Sequence, residues 1–227
     1  YAWLRNLPMI FSGLRWIGVI MIAVAGLLSA VQTKLGKSFG YLVLYETGYS
    51  LLAVGLARTG GLNYLAMLFI PRLLSYAVIS LALSALVQDQ SPDALLYTNQ
   101  AGLFRTRPIV TGGILIGIFS LLGLPLLPLF PHKQMLWLLT AQLDPRLLLW
   151  VFAGSLGLLL NAARLIRVFS QERSEDSVFQ LKKEKTGFVV LMASMILLMV
   201  AFGASTQFLL PRFLEILTPF TQLVPTP

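Results

Sequence analysis

Four side chains able to hold, steer or pass a proton stand in otherwise apolar sequence: Glu46, Arg72, His132 and Lys133. Lys133 follows an uncharged stretch of 24 residues, Pro108 to Pro131, whose last part reads Ser120-Leu-Leu-Gly123-Leu-Pro125-Leu-Leu-Pro128-Leu-Phe130-Pro131. An ionisable group at membrane depth costs roughly 2.5–3.5 kcal/mol on insertion scales, so such groups mark ion paths, proton relays or ion pairs. A buried lysine can load and release a proton when a neighbouring charge moves. The bland alternative is an interfacial lysine snorkelling past Pro131. Glu46 is either a relay acid on the same axis, half of a structural ion pair, or a hydrogen-bonded neutral acid. Arginine keeps its proton throughout the working pH range, so Arg72 steers a relay without carrying one. Its expected partner is Glu46, with packing as the alternative. His132 is either a relay group or a satisfied or interfacial histidine.

These residues need apolar elements to position them, and the composition supplies them. The chain is 57% hydrophobic and 11% charged, with a mean hydropathy of +0.80. Soluble domains carry about 25% charged residues, so an all-α, polytopic integral membrane protein is expected. Residues 1–227 read as a single transmembrane domain. With no cysteine, disulfides and cysteine-ligated iron–sulfur clusters are excluded. One histidine makes a zinc or haem site within the chain an unexpected feature, and no metal site is assigned. Neither a Walker-type phosphate loop nor a dinucleotide fingerprint occurs. The net charge of +8 is ascribed to cytoplasmic loops rather than to nucleic acid.

A helix crosses the hydrocarbon core with roughly 20 apolar residues. About six spans are predicted: Trp16 to Thr33, Ser38 to Ala57, 62–87, a fourth starting at Pro108, Leu147 to Arg164, and Thr186 to Leu210. Pro108 to Gln142 is short for two spans and a turn, so it is read as one discontinuous span broken near Pro125–Pro131. The excess of Lys and Arg then puts the 34–37, 88–107 and 165–185 loops in the cytoplasm and both chain ends outside. Residues 171–185 are a charged cytoplasmic loop, and Leu209 to Leu223 is an interfacial helix or a plain apolar tail. Tyr41, Tyr45 and Tyr49, four apart, share a helix face for packing or interface anchoring.

Three segments, in order, carry a resemblance. Ala30-Val-Gln32 through Gly40-Tyr41-Leu-Val-Leu-Tyr-Glu46-Thr-Gly48-Tyr49 is similar to A-x-Q…D-x-K-R-x-x-A-Y-S-S-x-S-x-x-G-Y. Gly102-Leu103 through Pro108 is similar to G-L-x-x-x-x-P, and Ser120 to Lys133 to S-L-x-G-x-P-P-x-x-G-F-x-x-K. Those patterns belong to the antiporter-like membrane subunits of respiratory complex I, a family shared with multisubunit cation/proton antiporters and membrane-bound hydrogenases. Asn161-Ala-Ala-Arg164-Leu-Ile-Arg167 resembles the family's next helix. The family builds its subunits from two inverted five-helix repeats, and this chain resembles the second repeat plus a final helix. It begins at Tyr1 without Met; the first repeat is expected from missing sequence, from a partner, or not at all in a reduced subunit.

The resemblance implies a membrane subunit of a redox-driven proton-pumping quinone oxidoreductase, NAD(P)H- or ferredoxin-linked, contributing a proton half-channel. Lys133 takes the place of the family's helix-break lysine, Arg72 of a histidine and Tyr76 of a lysine. No redox catalysis belongs to this chain alone. Quinone, flavin and iron–sulfur clusters are implied in partner subunits. The implied partners are other membrane subunits and the lipid bilayer, in a bacterial cytoplasmic, thylakoid or mitochondrial inner membrane. Departures from the patterns point to two rivals. Lys34 and Gly36 stand at the family's Asp and Lys, Leu42-Val43 at its serine pair, and Leu126 and Leu129 at a proline and a glycine. The rivals are a subunit of a multisubunit cation/proton antiporter and a non-transporting scaffold subunit.

Overall fold

A computed structural model describes residues 8–87, 95–172 and 186–221, with the side chains of Pro8 and of 206–221 excepted. Among these residues every regular element is helical: α1 (Pro8–Ala30), α2 (Leu35–Gly55), α3 (Gly61–Val87), α4 (Leu103–Thr106), α5 (Pro108–Leu122), α6 (Phe130–Leu143), α7 (Pro145–Ser170) and α8 (Thr186–Thr221). Short 3-10 turns lie at Ala57–Thr59 and Tyr97–Gln100. Four helices are long and apolar enough to cross a membrane: Met9–Ala30, Gly61–Val87, Pro145–Ser170 and Thr186–Ser205. The 21 residues of α2 would span about 31 Å at 1.5 Å per residue, but it carries Lys37 and Glu46 and is less apolar. Their outward faces show large apolar side chains such as Ile20, Phe69, Leu149 and Leu197, as a bilayer solvent requires.

Glycines set how closely the helices pack. A Cβ on Gly18 would lie 2.6 Å from the backbone nitrogen of Leu52, so α1 rests directly on α2. Further along α1, a Cβ on Gly26 would collide with the Gly154 carbonyl of α7. Membrane helices lack a hydrophobic drive to associate, and small residues let van der Waals contact take its place. The core between them is filled by Ile22, Tyr45, Tyr49, Leu52, Val151 and Leu158, all fully buried.

Pro108 opens α5 at a position where a missing N–H is harmless. That helix ends at Gly123, whose φ of +82° is left-handed. Gly123 N donates to the Ser120 carbonyl and Leu124 N to that of Phe119, the paired bonds of a Schellman stop. Counting Gly123, seven non-helical residues, among them Leu126 with φ 70°, separate α5 from the start of α6 at Phe130. Pro125 and Pro128 lie in that interval. Pro131 does not: it sits in the first turn of α6, where its fixed φ suits a helix start. Gly203 of α8 packs against the backbone of Leu126 and Leu127.

One end of the bundle is tied by polar contacts. The Arg164 guanidinium donates to the carbonyls of Ala30 (3.2 Å) and Gln32 (2.8 Å), closing the C-terminus of α1. Tyr97 N donates to Thr33 O at 2.9 Å, and the Tyr97 hydroxyl donates to Asn161 Oδ1 at 2.9 Å. Asn161 Nδ2 in turn donates to Ser38 Oγ at 2.7 Å. Burial pushes the Tyr97 hydroxyl above its ordinary pKa, which keeps it a donor. This end therefore gathers residues 30–38, 95–107 and 161–172, with an exposed Arg105–Glu172 pair at 3.2 Å.

The predicted first, fifth and sixth spans differ from the helices at their ends, and the segment predicted as one fourth span forms two helices, α5 and α6. The first starts at Pro8 and stops at Ala30, the fifth extends from Pro145 to Ser170, and α8 continues as helix through the 209–221 segment. Asp144 caps α7 by accepting from Arg146 N at 2.9 Å, which fixes that start. Residues 173–185 of the charged 171–185 loop, and 88–94 of the 88–107 loop, lie outside the described residues.

Candidate functional site

Helix α2 carries Tyr45, Glu46, Tyr49 and Ser50 on adjoining strips, since residues three and four apart share a helical face. Helix α3 brings Arg72 beside them. The first turn of α6 brings Lys133 from the other side, held at the stop of α5. The carboxylate of Glu46 lies between the two cations: Arg72 Nε donates to Oε2 at 2.9 Å and Lys133 Nζ to Oε1 at 2.5 Å. Lys133 and Glu46 have side-chain exposures of 0% and 1%, Arg72 13%. The structure thus joins three of the four residues singled out in the sequence into one triad.

Two cations against one anion leave a net positive charge in the interior. Desolvating such groups costs several kcal/mol per ion, and a buried pair rarely repays this as stability. The surroundings offset part of the excess. Lys133 Nζ also donates to the Leu121 carbonyl, one of the carbonyls left free where α5 ends, at the negative end of that helix's dipole. The Lys133 ammonium sits 4.1 Å from the ring centroid of Tyr49 and 4.7 Å from that of Tyr45. Arg72 Nη1 donates to Ser50 Oγ at 2.6 Å. Arg72 Nη2 is buried with no hydrogen-bond partner among the described residues.

His132 stands apart from the triad's bonds. It is 5% exposed, and its Nδ1 is buried with no partner among the described residues. Tyr76 packs edge-on against Phe39 at 5.9 Å and is no part of the Lys133 contacts. Sequence reasoning missed Tyr45 and Tyr49 as neighbours of Lys133, treating the tyrosine stripe as packing. The readable signal was their spacing from Glu46, one residue before and three after it on the same helix. No group of three or more His, Cys, Asp or Glu side chains that could hold a metal occurs among the described residues.

Four apolar helices long enough to cross a membrane, packed with others around a buried charge triad, define a polytopic membrane protein with a buried ion-pair site. Residues 6–161 match the family described as NADH:quinone oxidoreductase/Mrp antiporter, TM, and the chain belongs to that family. It is 26% identical over 212 residues to NADH-quinone oxidoreductase subunit N of Ectopseudomonas mendocina (strain ymp), covering 86% of this chain and 40% of that protein. It is 29% identical over 137 residues to the chloroplastic NAD(P)H-quinone oxidoreductase subunit 5 of Cicer arietinum, covering 56% and 18%. A chain of respiratory complex I from Thermus thermophilus with bound NADH superposes with a TM-score of 0.80 at 16% identity, over 96% of this chain and 46% of that one. The Mrp complex from Dietzia sp. DQ12-45-1b gives 0.62 at 16% identity, over 86% and 45%. The solved structures share the fold. The chain spans less than half the length of each of these proteins.

Proposed function

We propose that this chain is a membrane subunit of a redox-driven, proton-pumping quinone oxidoreductase and contributes one proton half-channel. The observation that carries the reading is the buried Lys133–Glu46–Arg72 triad at the stop of α5. In this reading α5 and α6 are two halves of one discontinuous span. Their 15 and 14 residues reach about 22 and 21 Å, each short of the roughly 30 Å hydrocarbon core. With α1, α2, α3, α7 and α8 that makes six spans, forming the second inverted repeat and a final helix. The end holding residues 30–38, 95–107 and 161–172 faces the cytoplasm. Both ends of the chain face the opposite side.

The mechanism is electrostatic. Lys133 and Glu46 begin as an ion pair. A charge shift arriving along the membrane arm draws Glu46 toward Arg72, whose guanidinium holds its proton throughout and so keeps the carboxylate ionised. Lys133 then loses its counter-charge and gives up a proton from Nζ. When Glu46 returns, the amine takes a proton from the opposite side. His132, buried one residue before Lys133, is the group on α6 that can pass that proton on. Pro125 and Pro128 keep the backbone open where this happens. Flavin, iron–sulfur clusters and quinone belong to partner subunits, and this chain performs no redox step. The membrane is a bacterial cytoplasmic or a related energy-converting membrane.

A second reading follows from the family description, which includes the Mrp antiporter: the same triad would serve a gradient-driven cation/proton exchanger. A scaffold role is favoured by the fully buried, apolar Leu42 and Leu129, which bring no polar group to a path. Mass spectrometry of the complex drawn from native membranes with this chain as bait separates the first two. Co-purifying flavin or iron–sulfur subunits support the redox-driven pump. Antiporter-type membrane partners alone move the assignment to exchange, and a chain recovered by itself contradicts both.

A further inference from the structure

Lys133 has more neighbours than the relay uses. Its ammonium offers three N–H donors. Glu46 Oε1 and the Leu121 carbonyl take two. On the remaining side stand the ring faces of Tyr45 and Tyr49, 4.7 and 4.1 Å away. Both side chains are fully buried and pack edge to face, with centroids 5.2 Å apart at 64°. Their hydroxyls are anchored elsewhere. The Tyr45 hydroxyl is hydrogen-bonded to Ser155 Oγ of α7 at 2.8 Å, and the Tyr49 hydroxyl accepts from Trp137 Nε1 of α6 at 2.9 Å. The phenol oxygens are thus held away while the π-faces are turned to the cation.

We propose that Tyr45 and Tyr49 are positioning residues for Lys133, forming an aromatic cradle that holds the ammonium at the stop of α5 as Glu46 turns to Arg72, until its proton leaves, and again when it reloads. The inference rests on the relay reading of Lys133. A cation over an aromatic face in a desolvated site is held by the ring quadrupole, without a second carboxylate. Such a cradle favours the ammonium over the free amine and sets how alkaline the medium must become before Lys133 no longer reloads. The other charged and titratable groups facing this point are few. Among the described residues, Glu46 comes from α2, Arg72 stands behind it on α3 with Tyr76 close to both, and His132 precedes Lys133 on α6; α5 presents the Leu121 carbonyl, and α7 presents the Ser155 hydroxyl at Tyr45.

The test uses the assembled complex in native-membrane vesicles. Tyr49 is replaced by phenylalanine, then by its mono-, di- and trifluorinated analogues, which keep the ring's shape and drain its face of negative charge. Phenylalanine sets the baseline, since it already removes the acceptor of Trp137. The alkaline limit of turnover-linked proton movement is expected to move to lower pH in the order of fluorine content. Across the series the move is about tenfold in proton concentration. The same series at Tyr45, whose ring is farther from the ammonium, is expected to give a smaller move in the same order. Superimposed pH profiles in both series overturn the cradle. Lys133→Gln, run alongside, separates the relay from the cradle. If it abolishes proton movement while the fluorinated series stay flat, only the cradle fails. If proton movement survives it, the relay and the cradle fall together.

Discussion

Glu46 is one carboxylate shared by two cations, and both lose their partner if it is neutralised. Glu46→Gln leaves Lys133 and Arg72 buried without an anion, a change that costs about 3–5 kcal/mol when one member of a buried pair is removed. The variant is expected to lower the thermal midpoint of the detergent-solubilised complex and to reduce turnover-linked proton movement. Proton movement at the wild-type level would sink the idea that Arg72 and Lys133 communicate through Glu46. The three charged members of this site were legible as sequence because a lone charge in an apolar run stands out. Their mutual contact was legible only for Arg72 and Glu46, on adjacent helices. The carbonyl of Leu121 and the rings of Tyr45 and Tyr49 were not, because those contacts depend on how α2, α5 and α6 pack. His132 shows the same limit: its type and place permit a relay, a satisfied or an interfacial side chain, and residue type alone does not choose among them.

The stop of α5 is where element geometry and site geometry coincide. Gly123 is left-handed, and a Cβ there would also lie 3.0 Å from Lys133 Cδ. Gly123→Ala is therefore expected to destabilise by about 1–2 kcal/mol from the backbone alone, and to displace the lysine stem. Gly112 on the same helix has nothing within 4 Å of its Cβ position. Gly112→Ala should be neutral or stabilising by up to about 1 kcal/mol. Thermal unfolding of the two variants in detergent, with proton movement measured beside it, checks the pair; equal behaviour would show that the stop does not hold Lys133. The elements themselves were largely legible: Pro108 as a helix start and 62–87 as one helix follow from apolar length and from the tolerance of proline at a first turn. Their ends were less so. Pro131 reads as a breaker in sequence, yet the same rigid φ makes it a helix starter once Pro125 and Pro128 have already interrupted the chain. The Arg164 cap on α1 acts through space, whereas the Asp144 cap on α7 is local, two residues from the N–H it accepts.

At the scale of the whole molecule, the orientation of the bundle decides which side loads the proton. The chain has no cysteine, so a label recovered on this chain reports the introduced cysteine alone. Lys37 and Arg58 are exposed at opposite ends of α2. In right-side-out and inverted vesicles, Lys37→Cys is expected to react with an impermeant maleimide from the cytoplasmic face and Arg58→Cys from the other; the reverse pattern would invert the proposed topology. The fold class was legible from composition, whereas the packing of α1 between α2 and α7 was not, because it rests on which glycines of two distant helices meet. Whether Lys133 carries the proton is read from the ratio of protons moved to electrons transferred in vesicles holding the assembled complex with Lys133→Gln. A proton-carrying Lys133 makes this ratio fall to the level of a complex lacking this subunit's contribution while the subunit remains assembled; an unchanged ratio in a fully assembled complex rules that role out.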